Sequence, residues 1–167
     1  MLGAAVLTVR DAISDDAAAV REVASRAWRD TYRGLLSDGT IEAFIDRAYS
    51  LEHLRRRIDG HTFLVVEDAG AIVAFADAAV DVDHLNLGAI YADPERRRRG
   101  AGTLLLDALR DRFPALAISA DVLIGNRKGE AFYERRGFAT RETLPAELFG
   151  EAVVERRWWL DAKEDGS

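Results

Sequence analysis

The sequence predicts an α/β (α+β) fold: a twisted, mixed but mostly antiparallel sheet of six or seven strands, flanked by helices. Three observations carry that expectation. Two strand-like segments, 61–67 and 71–80, are joined by the short turn Asp68-Ala69-Gly70, a hairpin signal. A second pair of strand-like segments, 139–144 and 152–160, lies near the end of the chain. Helix-periodic segments interrupt the strands, which argues against an all-parallel sheet and for helices covering a mixed one.

The elements follow in order. Val6 to Arg10 reads as a first strand, and Ser14-Asp15-Asp16 as a helix start with acids at the positive end of the dipole. Val20, Val23, Ala24, Ala27 and Trp28 recur at helical spacing, so a first helix is expected to run to about Tyr32. Arg33-Gly34 interrupts it. Helical segments follow at 38–48 and 50–58, the second capped by Ser50 and closed by Gly60. After the first hairpin, a strand fits His84 to Tyr91 and ends at Asp93-Pro94. A helix is expected from Gly100 to Phe113, stopped by Pro114, then a strand at 117–123 and a helix at 126–136 closed by Gly137.

Composition narrows the function. The chain has 167 residues, enough for one well-filled core but cramped for two, so one domain spanning 1–167 is expected. A net charge of −6 speaks against a nucleic-acid surface and suits a cationic partner. Cysteine is absent, which excludes disulfides and thiolate chemistry, and three scattered histidines make a metal site improbable. The opening residues are apolar but lack a basic lead, and no stretch approaches the roughly 20 apolar residues of a membrane span. A cytoplasmic protein that engages no membrane is the expectation.

One segment carries chemistry. Arg97-Arg98-Arg99-Gly100-Ala101-Gly102 follows a strand and opens a helix. A helix start offers unpaired backbone N–H groups and a partial positive charge to a phosphate, and glycines let the backbone come close. Leu105 stands where a dinucleotide fingerprint needs its third glycine, and no Gly-Lys-Ser/Thr ending is present. Downstream, Asn126, Phe132, Tyr133, Gly137 and Phe138 form a second pattern. Together the two patterns resemble the GCN5-related N-acetyltransferase (GNAT) superfamily, whose signatures are Arg/Gln-x-x-Gly-x-Gly/Ala and Asn-x-x-Ala-x-x-Phe-Tyr-x-x-x-Gly-Phe. Gly129 replaces the alanine of the second.

The resemblance implies acetyl-coenzyme A as co-substrate, with no metal. It implies that backbone groups of Ile90, Tyr91 and Ala92 pair with the pantetheine arm and that Arg97, Arg98, Arg99, Gly100, Ala101 and Gly102 hold the pyrophosphate. It places Asn126 on the pantetheine and Tyr133 near the sulfur, as proton donor to the departing thiolate. The reaction it implies is direct attack of a neutral amine on the thioester. Many relatives carry a glutamate base at the position of Asn86, which cannot take a proton at neutral pH. In relatives that act on protein N-termini a glutamate five residues before the asparagine can serve instead, and the resemblance thereby makes Asp121, at that position here, the first candidate base. His84 is the second because it shares a strand face with Asn86, and a water chain is the rival to both. Trp28 and Tyr32 fall where the family lines its acceptor cleft, with His84 and Asn86 as further candidates there. Trp158 and Trp159 face opposite ways, and one of them could reach the cleft or a homodimer contact.

The acceptor stays open at this stage: an amine on a small molecule, or on a peptide or protein. So do two other classes, a catalytically silent acyl-coenzyme A-binding regulatory module and a nucleic-acid-binding domain built on Arg96–Arg99. Thiol release on an amine panel separates the first, and strongly salt-dependent binding to unrelated nucleic acids the second.

Overall fold

Alternating apolar residues and short turns make the sheet, and amphipathic stripes fix the helices against it. The computed structural model describes residues 6–96 and 100–163. Its elements are β1 (Leu7–Asp11), α1 (Ala17–Tyr32), α2 (Asp38–Ala48), α3 (Leu51–Gly60), β2 (Thr62–Asp68), β3 (Ala71–Asp81), β4 (His84–Ala92), α4 (Ala101–Arg112), β5 (Ile118–Leu123), α5 (Arg127–Arg135), β6 (Ala139–Leu148) and β7 (Glu151–Leu160). Ser50 caps α3 as expected, its hydroxyl accepting from the His53 amide at 3.2 Å, and Ser37 caps α2 in the same way through Thr40.

Several boundaries differ from the sequence reading, among them the end of α3, which runs through Gly60 to a cap at His61 instead of being closed by the glycine. Ser14–Asp16 form a 3-10 turn ahead of α1 rather than its first turn. The cause is Asp16, whose carboxylate accepts from the Ile13 amide at 2.8 Å and from Arg10 at 2.7 and 2.9 Å, which holds this stretch in a tighter turn. The last hairpin is longer than expected: β6 runs through Pro145 to Leu148 and turns on Phe149 and Gly150, with φ of 48° and 85°. A two-residue hairpin turn of this kind matches strand twist. Proline is tolerated because β6 is the edge strand.

The seven strands form one sheet in the order β1-β2-β3-β4-β5-β7-β6, and every neighbouring pair is antiparallel except β4 and β5. The mixed, mostly antiparallel sheet that the sequence predicts is therefore the one formed. Each face carries a core. Leu64, Val66, Leu85, Leu87, Ile118 and Ala120 pack with Leu105, Leu106 and Leu109 of α4. Phe63, Val65 and Phe75 pack on the other face with Val20, Trp28, Ile41, Ile45 and Leu54 of α1 to α3.

Candidate active site

Parallel pairing of β4 with β5 stops after Leu85↔Ile118 and Asn86↔Ser119. Beyond that point each strand follows its antiparallel neighbour, β4 keeping register with β3 to Ala92 and β5 with β7 to Leu123. Gly88 is an extra residue in β4, since Ala78 pairs with Leu87 and Asp77 with Ala89. Such a bulge bends the strand where the two part. The Asn86 amide pins the crotch, donating to Ser119 Oγ at 3.2 Å.

A cavity of about 200 Å³ fills this fork. β4 lines it from Leu87 to Ala92, with Gly100 and Gly102 at one end, Asp121 and Val122 across from β4, and Asn126, Phe132, Tyr133 and Arg136 along α5. Thr31 and Tyr32 of α1 complete the wall. A second cavity, of about 390 Å³, lies beside β1 and α1, but its charges satisfy one another through Arg10 with Asp16 and Glu67, and Arg26 with Asp93.

At the α4 end of the cavity, Gly100 precedes the helix at φ 82°, in the left-handed region where glycine is at ease. The first-turn amides of α4 have no intrahelical acceptor, and no acid stands in that turn. Gly102 has a different reason to lack a side chain: a Cβ there would lie 2.6 Å from the Phe132 ring. It makes room for α5 to dock on α4, so substitution there disturbs packing as well as any anion contact. Arg97, Arg98 and Arg99 lie outside the described residues. Ala101 is buried and belongs to the core.

Midway, the Tyr133 ring packs edge-on between Phe132 and Phe138, at 5.2 and 4.9 Å between centroids. Burial, then the nearby Tyr32 and Asp121, push its phenol well above the ordinary value, so it holds its proton at neutral pH. Asn126 caps α5 by accepting from the Gly129 amide at 3.0 Å. A Cβ on Gly129 would meet the Asn126 amide at 2.6 Å, so glycine in place of the family's alanine makes room for this buried side chain. The hydroxyls of Tyr32 and Tyr91 are 2.8 Å apart, and burial raises Tyr32 to about 12. Tyr91 thus turns its side chain into the helical core, while its strand borders the cavity together with Ile90 and Ala92.

At the other end, Asp121 reaches the cavity with both oxygens engaged, accepting from Arg157 Nε at 2.8 Å and Nη2 at 3.1 Å. Arg157 also feels Glu142 and Asp81, so this face is acid-rich. Glu155, two residues from Arg157 on the same face of β7, has no hydrogen-bond or ion-pair partner among the described residues. It is half-buried; burial and then the charge of Asp121 raise its carboxyl above the usual range.

Other expected residues fall outside the cavity lining. Trp28 stacks on Phe44 at 3.9 Å, behind Tyr32. His84 contacts Asp83 at 3.2 Å and the Trp159 ring at 4.8 Å, and Asn86 serves the crotch. Trp158 is core. Sequence reasoning missed Thr31, Arg136 and Glu155. The two-residue spacing of Glu155 and Arg157 put them on one strand face, but the pairing of β7 with β5 was not visible in the sequence.

Residues 19–138 match the model of the acetyltransferase (GNAT) family. The chain is similar to a spermidine N(1)-acetyltransferase of Thermoplasma acidophilum, 27% identical over 89% of this chain and 98% of the relative. Among solved structures it resembles the PaiA N-acetyltransferase of Thermoplasma acidophilum in complex with coenzyme A (TM-score 0.79, 23% identity, covering 90% of this chain and 98% of that one). It also resembles a GCN5-related N-acetyltransferase of Rhodopseudomonas palustris (TM-score 0.79, 21% identity, 95% and 99% covered). With a seven-stranded sheet forked between β4 and β5 and a family match over most of its length, the chain belongs to the GNAT family of acetyltransferases.

Proposed function

We propose that the chain transfers an acetyl group from acetyl-coenzyme A to a primary amine on a small polycationic acceptor, a polyamine or related diamine. One observation carries the reading: a single cavity runs from the glycines at the start of α4 to Tyr133 and on to an acid-rich face. The likeness to a spermidine acetyltransferase supports the acceptor class.

The residues present fit the co-substrate. Open amides at the start of α4 suit a pyrophosphate, and the unpaired edge of β4 from Gly88 to Ala92 suits a pantetheine amide chain as an added strand. Bound there, the co-substrate supplies the activated acyl carbon. Tyr133 keeps its proton until negative charge develops on the sulfur and then donates it. On the acceptor side Asp121 is held by Arg157 and shapes the field, while Glu155, with no hydrogen-bond or ion-pair partner among the described residues, takes the ammonium proton before or during attack. The nitrogen–carbon bond forms as the carbon–sulfur bond breaks; the thiol leaves with the proton of Tyr133, and the second proton, shed by the nitrogen as the amide forms, returns to the Tyr133 phenolate through water.

The test is free-thiol release from acetyl-coenzyme A over an amine panel. Spermidine and short diamines are expected to give the highest kcat/KM, with KM rising as salt screens the acidic face. Coenzyme A binding without thiol release on any amine would make this chain a silent binding module. Equal turnover of neutral-tailed monoamines and polyamines would remove the polycation assignment.

A further inference from the structure

Two described basic side chains line the cavity, and they differ in one respect. Lys128 has a counter-ion, Asp30, at 3.7 Å, whereas Arg136 forms no ion pair among the described residues. Arginines elsewhere that are as well packed sit against carboxylates, as Arg57 does on Asp77 and Arg10 on Asp16. Arg136 is nevertheless fixed. Its guanidinium carbon stacks 3.7 Å from the centre of the Phe132 ring, Nη1 donates to the Phe132 carbonyl at 3.0 Å, and Nη2 donates to Thr103 Oγ1 at 2.5 Å. Two of its five N–H donors are thus used, and Nε is buried with no acceptor. Burial and then the neighbouring Arg135 press its pKa downward, against the opposite pull of Asp107. A rigid, half-buried guanidinium on a cavity wall, with no ion-pair partner among the described residues, is a candidate anion site.

Its position separates it from the pyrophosphate cradle. The open amides are those of the first turn of α4, up to Thr103, whereas Arg136 bonds to the Thr103 side chain, on the α5 side of that turn. The Phe132 ring fills the space between, against Gly102. We propose that Arg136, braced by Phe132 and Thr103, binds the 3′-phosphate of coenzyme A and lets the chain distinguish it from 3′-dephospho-coenzyme A. The assignment rests on the acetyl-coenzyme A reading above. A phosphomonoester, carrying close to two negative charges at neutral pH, is the group a planar guanidinium fork grips best.

Calorimetry with coenzyme A and 3′-dephospho-coenzyme A tests it, on the wild-type chain and on Arg136→Gln. The wild type is expected to favour coenzyme A on the order of 10- to 100-fold, the range of a charge-assisted contact. In Arg136→Gln the preference should fall to about twofold, by weaker coenzyme A binding alone, with Arg136→Lys in between. Unchanged dephospho-coenzyme A affinity shows that the variant is folded. Equal loss for both ligands, or an unchanged preference, overturns the 3′-phosphate assignment while leaving the cofactor reading standing. A wild-type chain that binds neither ligand overturns the cofactor reading itself, and this assignment with it.

Discussion

Tyr133 is a phenol whose surroundings keep it protonated, on the wall where a leaving group would need a proton. Removing its hydroxyl costs most when charge develops on sulfur, so Tyr133→Phe should lower kcat about 10- to 100-fold and move acetyl-coenzyme A affinity about twofold or less. Equal turnover with chemistry rate-limiting would remove the proton-donor role. The carboxylates Asp121 and Glu155 divide differently. A primary ammonium with pKa near 10.4 is only about four parts in ten thousand neutral at pH 7, so the site needs a base. A raised carboxyl pKa means the base form appears only as pH climbs above the ordinary glutamate range of about 4.3, and the rate should rise through that window. Glu155→Gln should abolish this limb and be partly rescued at high pH; Asp121→Asn should keep the limb. If instead Asp121→Asn loses it, Asp121 is the base despite its bonds to Arg157. Residue placement was thus partly legible: the motif marked Tyr133 and Asn126, which line the cavity, but their partners, and the lack of one for Glu155 among the described residues, depend on contacts from distant strands.

At the scale of elements, α4 and α5 meet through one absent side chain. A β-carbon at Gly102 collides with Phe132, whereas one at Gly100 meets nothing but suffers from the positive φ. Gly102→Val should therefore lower Tm by several degrees and weaken coenzyme A binding together, an overpacking cost of about 1–3 kcal/mol. Gly102→Ala combined with Phe132→Leu should recover part of both losses, measured as a double-mutant cycle by thermal melting and calorimetry. Strictly additive effects would show that the two residues do not share that space. The glycine was visible in the sequence as part of a phosphate loop, but its second reason was not. Pro145 misled in the opposite direction: a proline normally ends a strand, and only the edge position of β6 allows it to continue to Leu148.

Across the whole molecule, the fork is the consequence of one parallel pair set among antiparallel ones. β4 is held by β3 and β5 by β7, so each half of the sheet follows its own twist, and the two strands separate after two paired positions. The exposed edge should exchange its amide hydrogens readily. Saturating coenzyme A should then slow exchange in 88–92 and in the first turn of α4, while β1 and β2 stay unchanged. Protection spread evenly over the sheet would indicate global stabilisation by mass action rather than strand-like pairing in the fork.

Apolar alternation, turn chemistry and caps are local properties. The sequence by itself therefore determined the seven strands, the helices between them and, through two motifs, the family. Where β7 lies was decided only in the tertiary structure. Its insertion between β5 and β6 is a long-range pairing that brings Arg157 onto Asp121 and leaves Glu155 without a partner among the described residues. No local pattern encodes it, because burial on both faces and backbone pairing are satisfied only when the complete sheet is assembled.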